Sequence, residues 1–203
     1  MKEFNLESFY VFKKAIPKNI SEFVCKCLQM KKEAFEYLTK NKYLPPSDMT
    51  WGLYDSQVKD AYSHYAFIPN EVILMILKPL IEKKLNIELV ETYSFCRVYS
   101  KGDELVRHKD RSSCAISATL NLGGDLWPIY IAKDKKNGTD KGIEIKLNQG
   151  DLLIYNGVDF EHWRKPFTGD VCYQTFLHYN LKNSKNKYDK RELLGLPTYA
   201  RKN

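Results

Sequence analysis

The sequence has few cysteines and no long apolar run. Its five cysteines are an odd number with no CxxC pair, which argues against a disulfide framework. No stretch approaches the roughly 18 apolar residues that a membrane span requires. Residues 1–14 lack the apolar core of a signal peptide. These absences predict a cytoplasmic protein with reduced thiols and no membrane partner.

Length and composition favour one globular domain. A chain of 203 residues can bury a sizeable core but is too short for two comfortable domains. Its 43% hydrophobic and 13% aromatic residues are typical of a globular protein. We therefore predict a single domain over residues 1–203, with helical support in 1–86, a strand-rich core in 87–181 and a basic tail in 182–203.

The net charge of +7 is concentrated at the C-terminal end. Residues 182–203 hold seven Lys or Arg against Asp189 and Glu192, which gives this segment a net charge of +5. Basic character can indicate nucleic-acid binding. A charged tail is more often a solvated chain end, however, so nucleic acid is disfavoured as a partner.

The first half of the chain reads as two helices joined by an irregular segment. Apolar residues recur at helical spacing over residues 17–40. The second predicted helix begins at Asn70 as its cap, and its interior Pro79 should bend or divide it. Paired prolines and aromatic residues predict a loop over residues 41–69.

The second half reads as strands separated by Gly, Asp and Asn turns. About eight strands are predicted: 88–100, 106–110, 113–122, 126–133, 142–147, 151–157, 162–167 and 171–180. Helices followed by strands indicate an α+β fold, and eight strands suffice for a double-stranded β-helix, or jelly roll. We expect the helices to pack on one of its sheets.

The chemistry of the chain centres on His108 and Asp110. On a strand, these two side chains point to the same face. Two histidines and one carboxylate form the ligand set of non-haem Fe(II) sites. Of the other histidines, His162 follows a distant β-rich run and is the predicted third ligand, whereas His64 and His178 are read as structural. His108, Asp110 and His162 are thus the predicted metal-binding and catalytic residues.

The sequence segments around these ligands indicate a protein family more specifically than the three ligands do. It comprises, in order, Tyr99-Ser-Lys-Gly102, His108-Lys-Asp110, residues 113–122, Trp127-Pro-Ile-Tyr130, residues 149–155 and His162. Over about residues 90–181 the chain resembles the Fe(II)/2-oxoglutarate-dependent oxygenases. The resemblance is strongest to their prolyl-4-hydroxylase-like branch, including its phage-type members.

The resemblance implies a dioxygenase that hydroxylates an unactivated C–H bond. Its expected cofactors and co-substrates are Fe(II), 2-oxoglutarate and O2, with ascorbate as an optional reductant. A prolyl residue of a peptide or protein is the first substrate candidate, and a free amino acid or other small molecule stays open. Five aromatic residues upstream of the strands offer a candidate platform for a proline ring: Trp51, Tyr54, Tyr62, Tyr65 and Phe67.

The expected clamp for 2-oxoglutarate departs from the family pattern. In relatives, a basic residue nine or ten positions after the distal histidine holds the C5 carboxylate, but here those positions are Val171 and Cys172. Arg164 shares a predicted strand face with His162, and its planar fork suits a carboxylate. Arg164 is therefore one candidate clamp.

A second group of candidate co-substrate residues lies on the first long predicted strand. Tyr99 matches the tyrosine that borders the 2-oxoglutarate site in relatives, and Arg97 shares its face. Arg97 is the alternative clamp, although a salt bridge inside the barrel would explain it equally well.

Two other functions stay open. A nucleobase-directed oxygenase accords with the basic charge, but the paired arginines that such enzymes carry after the distal histidine are missing. A cupin-like module could hold a metal or a sugar without turnover. Iron-dependent formation of succinate separates the oxygenases from this module.

Overall fold

The structure is a computed structural model that describes residues 9–45, 48–134, 138 and 140–183. Almost all of the predicted basic tail lies outside these residues. Two α-helices and eleven strands make up the described chain. In this part of the chain, neither helix combines the length and the apolar character that crossing a membrane would require.

The two helices are α1 (Lys18–Lys40) and α2 (Ile68–Leu85). The predicted cap at Asn70 is wrong, because α2 already begins at Ile68 and Asn70 is fully buried within its first turn. Pro69 fits there because the first turn of a helix needs no N–H from it. Pro79 lies inside α2 without dividing it. The helix ends at Leu85, because the left-handed backbone of Asn86, its C-cap, breaks the repeat.

The strands in chain order are β1 (Tyr10–Phe12), β2 (Leu53–Tyr54), β3 (Tyr62–Tyr65), β4 (Leu89–Ser100), β5 (Leu105–His108), β6 (Ile116–Gly124), β7 (Ile129–Ile131), β8 (Ile143–Ile145), β9 (Leu152–Tyr155), β10 (His162–Arg164) and β11 (Val171–Leu181). The eight predicted strands correspond to β4 through β11. The sequence did not predict β1, β2 or β3, and the last two lie in the segment predicted as a loop.

The strands form two sheets. One has seven strands in the order β1-β9-β6-β11-β4-β3-β2, and the other has four in the order β5-β10-β7-β8. All their pairings are antiparallel. The order mixes strands from distant parts of the sequence, as a jelly roll requires. Within the described ranges, the two sheets do not join into a closed barrel.

The helices cover the outer face of the seven-stranded sheet. Leu28 of α1 and Leu74 of α2 share a buried cluster with Leu120 and Ile154 of that sheet. A second cluster joins the sheets to each other, with Ile129 of β7 against Leu153 of β9 and neighbouring apolar residues. This layering confirms the predicted α+β jelly roll with helices on one sheet.

Candidate metal and co-substrate site

Strand pairing brings the two predicted histidine ligands together. In the antiparallel pair of β5 and β10, His108 and His162 lie directly opposite each other. Side chains opposite each other across such a pair are close neighbours. Their ring centroids are accordingly 4.2 Å apart.

Backbone carbonyl groups orient both imidazole rings. The Nδ1 atom of His108 lies 2.7 Å from the carbonyl oxygen of Val106, and Nδ1 of His162 lies 3.2 Å from that of Phe160. A proton on each Nδ1 satisfies these contacts and leaves each Nε2 lone pair free for a metal. Burial lowers the pKa of His108, and the nearby His162 lowers it further. This ring is therefore neutral, as a metal ligand must be, near neutral pH.

Asp110 completes the group from just beyond the end of β5. Its Oδ1 atom lies 3.5 Å from Nε2 of His162 and 3.8 Å from Nε2 of His108. The one potential ligand atom of each residue lies within 4.8 Å of the other two. Burial opposes ionisation, but the neighbouring His162, His178 and the Ser117 hydroxyl outweigh it and hold the pKa of Asp110 well below its usual range.

The turn around Asp110 differs from the predicted strand. Because β5 ends at His108, strand alternation is not what aims Asp110 at the histidines. Instead, the N–H of Asp110 donates to the carbonyl oxygen of Gly157, 2.8 Å away. This bond fixes the carboxylate beside the loop that precedes β10.

The three residues line one side of a cavity of about 340 Å³. Much of the facing wall is aromatic and comes from β3, β4 and β11: Tyr65, Tyr93, Phe95 and Phe176. Of the five residues considered as a proline platform, only Tyr65 lines this cavity. Tyr62 instead lies in the core, where its hydroxyl donates to the carbonyl oxygen of Trp51.

Arg97 lines the cavity but is already engaged by protein groups. Its guanidinium donates to the carboxylate of Asp55, to the side-chain oxygen of Gln57 at 3.0 Å and to the hydroxyl of Ser63 at 3.1 Å. The side chain is almost fully buried. Arg97 therefore fastens the segment around residue 55 to β4, as expected for a salt bridge within the fold.

Arg164 is buried without a carboxylate partner among the described residues. It is 1% exposed, and its terminal nitrogens donate to the carbonyl oxygen of Trp127 and to the side-chain oxygen of Gln174. Its Nε has no hydrogen-bond partner in the described part of the chain. Burial lowers its pKa, and the groups that act in the opposite direction are a thiol and two phenols.

Tyr99 lies between the two arginines. Its ring is fully buried, and its hydroxyl has no hydrogen-bond partner of standard geometry among the residues described. Burial raises the pKa of Tyr99, while Arg97 and Arg164 both oppose this rise. The hydroxyl thus interacts with Arg97, and neither Tyr99 nor Arg164 is among the residues that line the cavity.

Comparison with known proteins gives structural matches only. No protein-family model matches the chain, and no curated protein matches its sequence. A prolyl-4-hydroxylase from Pseudomonas putida superposes with a TM-score of 0.59 at 13% identity, over 86% of this chain and 93% of that chain. HygX from Streptomyces hygroscopicus, solved with nickel, 2-oxoglutarate and hygromycin B, gives 0.60 at 12% identity, over 96% and 90%.

A third match is a prolyl hydroxylase from Trichoplax adhaerens in complex with a peptide fragment of hypoxia inducible factor. It has a TM-score of 0.57 at 14% identity, over 87% of this chain and 84% of that chain. The chain has the fold of the 2-oxoglutarate- and iron-dependent oxygenases. At these identities the likeness is one of fold.

Within this oxygenase fold, sequence reasoning found the residues that face one another but missed those that support them. His108, Asp110 and His162 come together as predicted. Ser117 and Gly157 were not predicted, although both contact the Asp110 carboxylate or its backbone. Ser117 is a single serine within β6, and Gly157 is a single glycine shortly after β9. Neither belongs to a sequence pattern that would distinguish it.

Proposed function

We propose that the chain is an Fe(II)- and 2-oxoglutarate-dependent dioxygenase that hydroxylates an unactivated C–H bond. The observation that carries the proposal is the meeting of two imidazole nitrogens and one carboxylate oxygen at one side of a cavity. This donor set suits Fe(II), and three ligands leave three octahedral positions open. Bound iron would supply O2 activation, coupled to decarboxylation of 2-oxoglutarate to succinate and CO2.

His108, Asp110 and His162 would hold the iron, each through one atom. The backbone contacts of Nδ1 prepare both rings, because they keep Nε2 unprotonated and aimed at the same point as the Asp110 carboxylate. These three residues position the metal, and the surrounding apolar side chains exclude water from it.

Arg164 would hold the C5 carboxylate of 2-oxoglutarate. A buried cation is costly unless an anion pairs with it, and Arg164 has no carboxylate partner among the described residues. Its contact with Gln174 also brings the guanidinium to β11, the strand that bears the basic residue in relatives of this type. Tyr99, which interacts with both guanidinium groups, would donate its hydroxyl to the same carboxylate.

We further propose a prolyl residue of a peptide as the substrate, bound against the wall of Tyr65, Tyr93, Phe95 and Phe176. Flat aromatic faces offer an apolar surface that suits a proline ring. A reducing compartment accords with this chemistry, since all five cysteines carry free thiols. The cytoplasmic location stays part of the proposal.

The test of the reaction is succinate formation by the iron-loaded protein with 2-oxoglutarate and O2. His162→Ala should lose most of the metal affinity and all succinate formation, because two remaining ligands do not make a facial set. Trp163→Phe is the matched control, because Trp163 lies on the same strand and stacks on Tyr130 on the opposite face. Metal binding without succinate under any condition would instead favour a cupin-like module.

The test of the substrate is a library of proline-containing peptides. We expect a gain of one oxygen atom per peptide, coupled to one succinate. Coupled oxygenation of free amino acids or of single-stranded nucleic acid, with every peptide unchanged, would overturn the prolyl substrate and leave the oxygenase assignment in place.

A further inference from the structure

The second oxygen of Asp110 has a dedicated hydrogen-bond partner. While Oδ1 faces both histidines, Oδ2 accepts a hydrogen bond of 2.6 Å from the hydroxyl of Ser117. Ser117 is 1% exposed and lies on β6, in the seven-stranded sheet. The carboxylate is therefore held from the sheet opposite to the one that carries the histidines.

His178 extends this contact into a chain of hydrogen bonds. Its Nδ1 lies 3.2 Å from the Ser117 hydroxyl oxygen. If Ser117 donates its single proton to Asp110, which is the nearer of its two acceptors, its oxygen is free to accept an N–H from Nδ1 of His178. The other acceptor is the carbonyl oxygen of Cys114, 3.1 Å away. Hydrogen bonds linked in this way strengthen one another.

Gly157 closes the third side of the carboxylate. A Cβ atom on this residue would lie 2.1 Å from Oδ2 of Asp110 and 2.6 Å from the Ser117 hydroxyl. Any other side chain would therefore displace the carboxylate oxygen. The Gly157 carbonyl also accepts the Asp110 N–H, so this one residue fixes both the backbone and the side chain of Asp110.

Cys114 lies beside this hydrogen-bond chain. Its sulfur is within 4.8 Å of the nearest potential ligand atoms of Asp110 and His178. The hydroxyl of Tyr93 is in contact with the same sulfur, 3.1 Å away.

We propose that Ser117, His178 and Gly157 restrict Asp110 to one-oxygen coordination of the metal. The inference rests on the proposed metal site. A carboxylate that used both oxygens would occupy a fourth octahedral position and leave two open in place of three. A two-point ligand such as 2-oxoglutarate would then fill the remaining positions. Ser117 and His178 are thus positioning residues that preserve the third open position.

The experiment counts metal-bound water. Mn(II) is added to the wild-type protein and to Ser117→Ala, and the water-proton relaxivity of each complex is measured, because relaxivity scales with the number of bound waters. We expect the value for Ser117→Ala to be about two thirds of the wild-type value, since two open positions replace three. With 2-oxoglutarate added, the variant should lose its remaining bound-water contribution, whereas the wild type should keep one.

Two conservative variants separate positioning from a general loss of structure. Ser117→Thr keeps the hydroxyl, and His178→Asn keeps an N–H donor near the place of Nδ1. Both should restore the wild-type relaxivity, whereas His178→Leu should resemble Ser117→Ala. Ser21→Ala is the matched control, because this buried serine donates to the carbonyl oxygen of Leu122, remote from Asp110. Thermal melts confirm that each variant is folded.

Equal relaxivity in folded Ser117→Ala and wild type would overturn the inference, and so would failure of Ser117→Thr to restore it. If the wild type binds Mn(II) but not 2-oxoglutarate, the proposed reaction fails while the metal-only measurement still decides the role of Ser117. Absence of Mn(II) binding by the wild type would overturn both.

Discussion

The surroundings of Arg97 and Arg164 differ although both guanidinium groups are buried beside Tyr99. Arg97 is paired with the carboxylate of Asp55, whereas Arg164 has only neutral acceptors around it in the described chain. A buried ion that already has its counter-charge contributes to the fold. A buried ion without one is costly to keep, and a bound anion would remove that cost. The contrast favours Arg164 over Arg97 as the clamp.

The largest effect that we expect from this contrast is on 2-oxoglutarate binding when Arg164 is replaced. Arg164→Met should weaken 2-oxoglutarate binding to the metal-loaded protein by about 10- to 100-fold, because a charge-assisted hydrogen bond contributes about 1.5–3 kcal/mol. Titration calorimetry measures this change. The affinity of Arg164→Lys for 2-oxoglutarate should lie between those of the wild type and Arg164→Met, since lysine keeps the charge but lacks the two-pronged guanidinium. If Arg97→Met weakens binding and Arg164→Met does not, the two assignments must be exchanged.

Arg97 should show its effect on stability instead. Arg97→Met leaves Asp55 without its partner and should lower the free energy of unfolding by about 1–3 kcal/mol. The lower part of this range applies because the Asp55 side chain is 23% exposed and regains some hydration. Urea denaturation measures the change. Adding Asp55→Asn to Arg97→Met should recover part of it, and a further loss would contradict the pairing.

The Tyr99→Phe variant tests whether the region between the two arginines binds 2-oxoglutarate. Tyr99→Phe removes one neutral hydroxyl and should weaken 2-oxoglutarate binding by about 2- to 10-fold, corresponding to about 0.5–1.5 kcal/mol. Stability without ligand should change little, because the hydroxyl has no partner of standard geometry among the described residues. A large loss of stability with normal 2-oxoglutarate binding would show that Tyr99, like Arg97, serves the fold and not the ligand.

The smallest expected effect is on the ligand-free stability of Arg164→Met. Removing a buried charge is favourable, but the hydrogen bonds to Trp127 and Gln174 are lost as well. We expect the free energy of unfolding to change by about 1 kcal/mol or less. An increase would agree better than a decrease with a ligand-binding role for Arg164. Thermal denaturation without 2-oxoglutarate measures it. A fall as large as that of Arg97→Met would show that both arginines serve the fold.

Patterns within one element were sufficient for most of the fold. The predicted helix over residues 17–40 matches α1 to within one residue, because its buried stripe is visible in the sequence. In contrast, β2 and β3 were missed because two- and four-residue strands are too short for a periodicity. Their formation depends on pairing with β4, which is a tertiary contact.

The candidate site shows the same division. His108, Asp110 and His162 were predictable from residue type and order, but their meeting depends on the register of β5 and β10. The pairing of Arg97 with Asp55 joins residues 42 positions apart and had no signal in the sequence. Long-range pairing of this kind is decided by packing of the whole domain.

Strand β10 has one more consequence, which concerns the length of the co-substrate. Its three residues include both His162 and Arg164, which are buried and two positions apart, with a register shift between them in the pairing with β5. Two residues of strand span about 7 Å, so one short element sets the distance between the proposed iron and the proposed anion clamp. The strand would then make the site selective for diacids of one length. We therefore expect the five-carbon oxo acid to bind more tightly than the shorter oxaloacetate or the longer 2-oxoadipate, and competition titration of the three acids measures this.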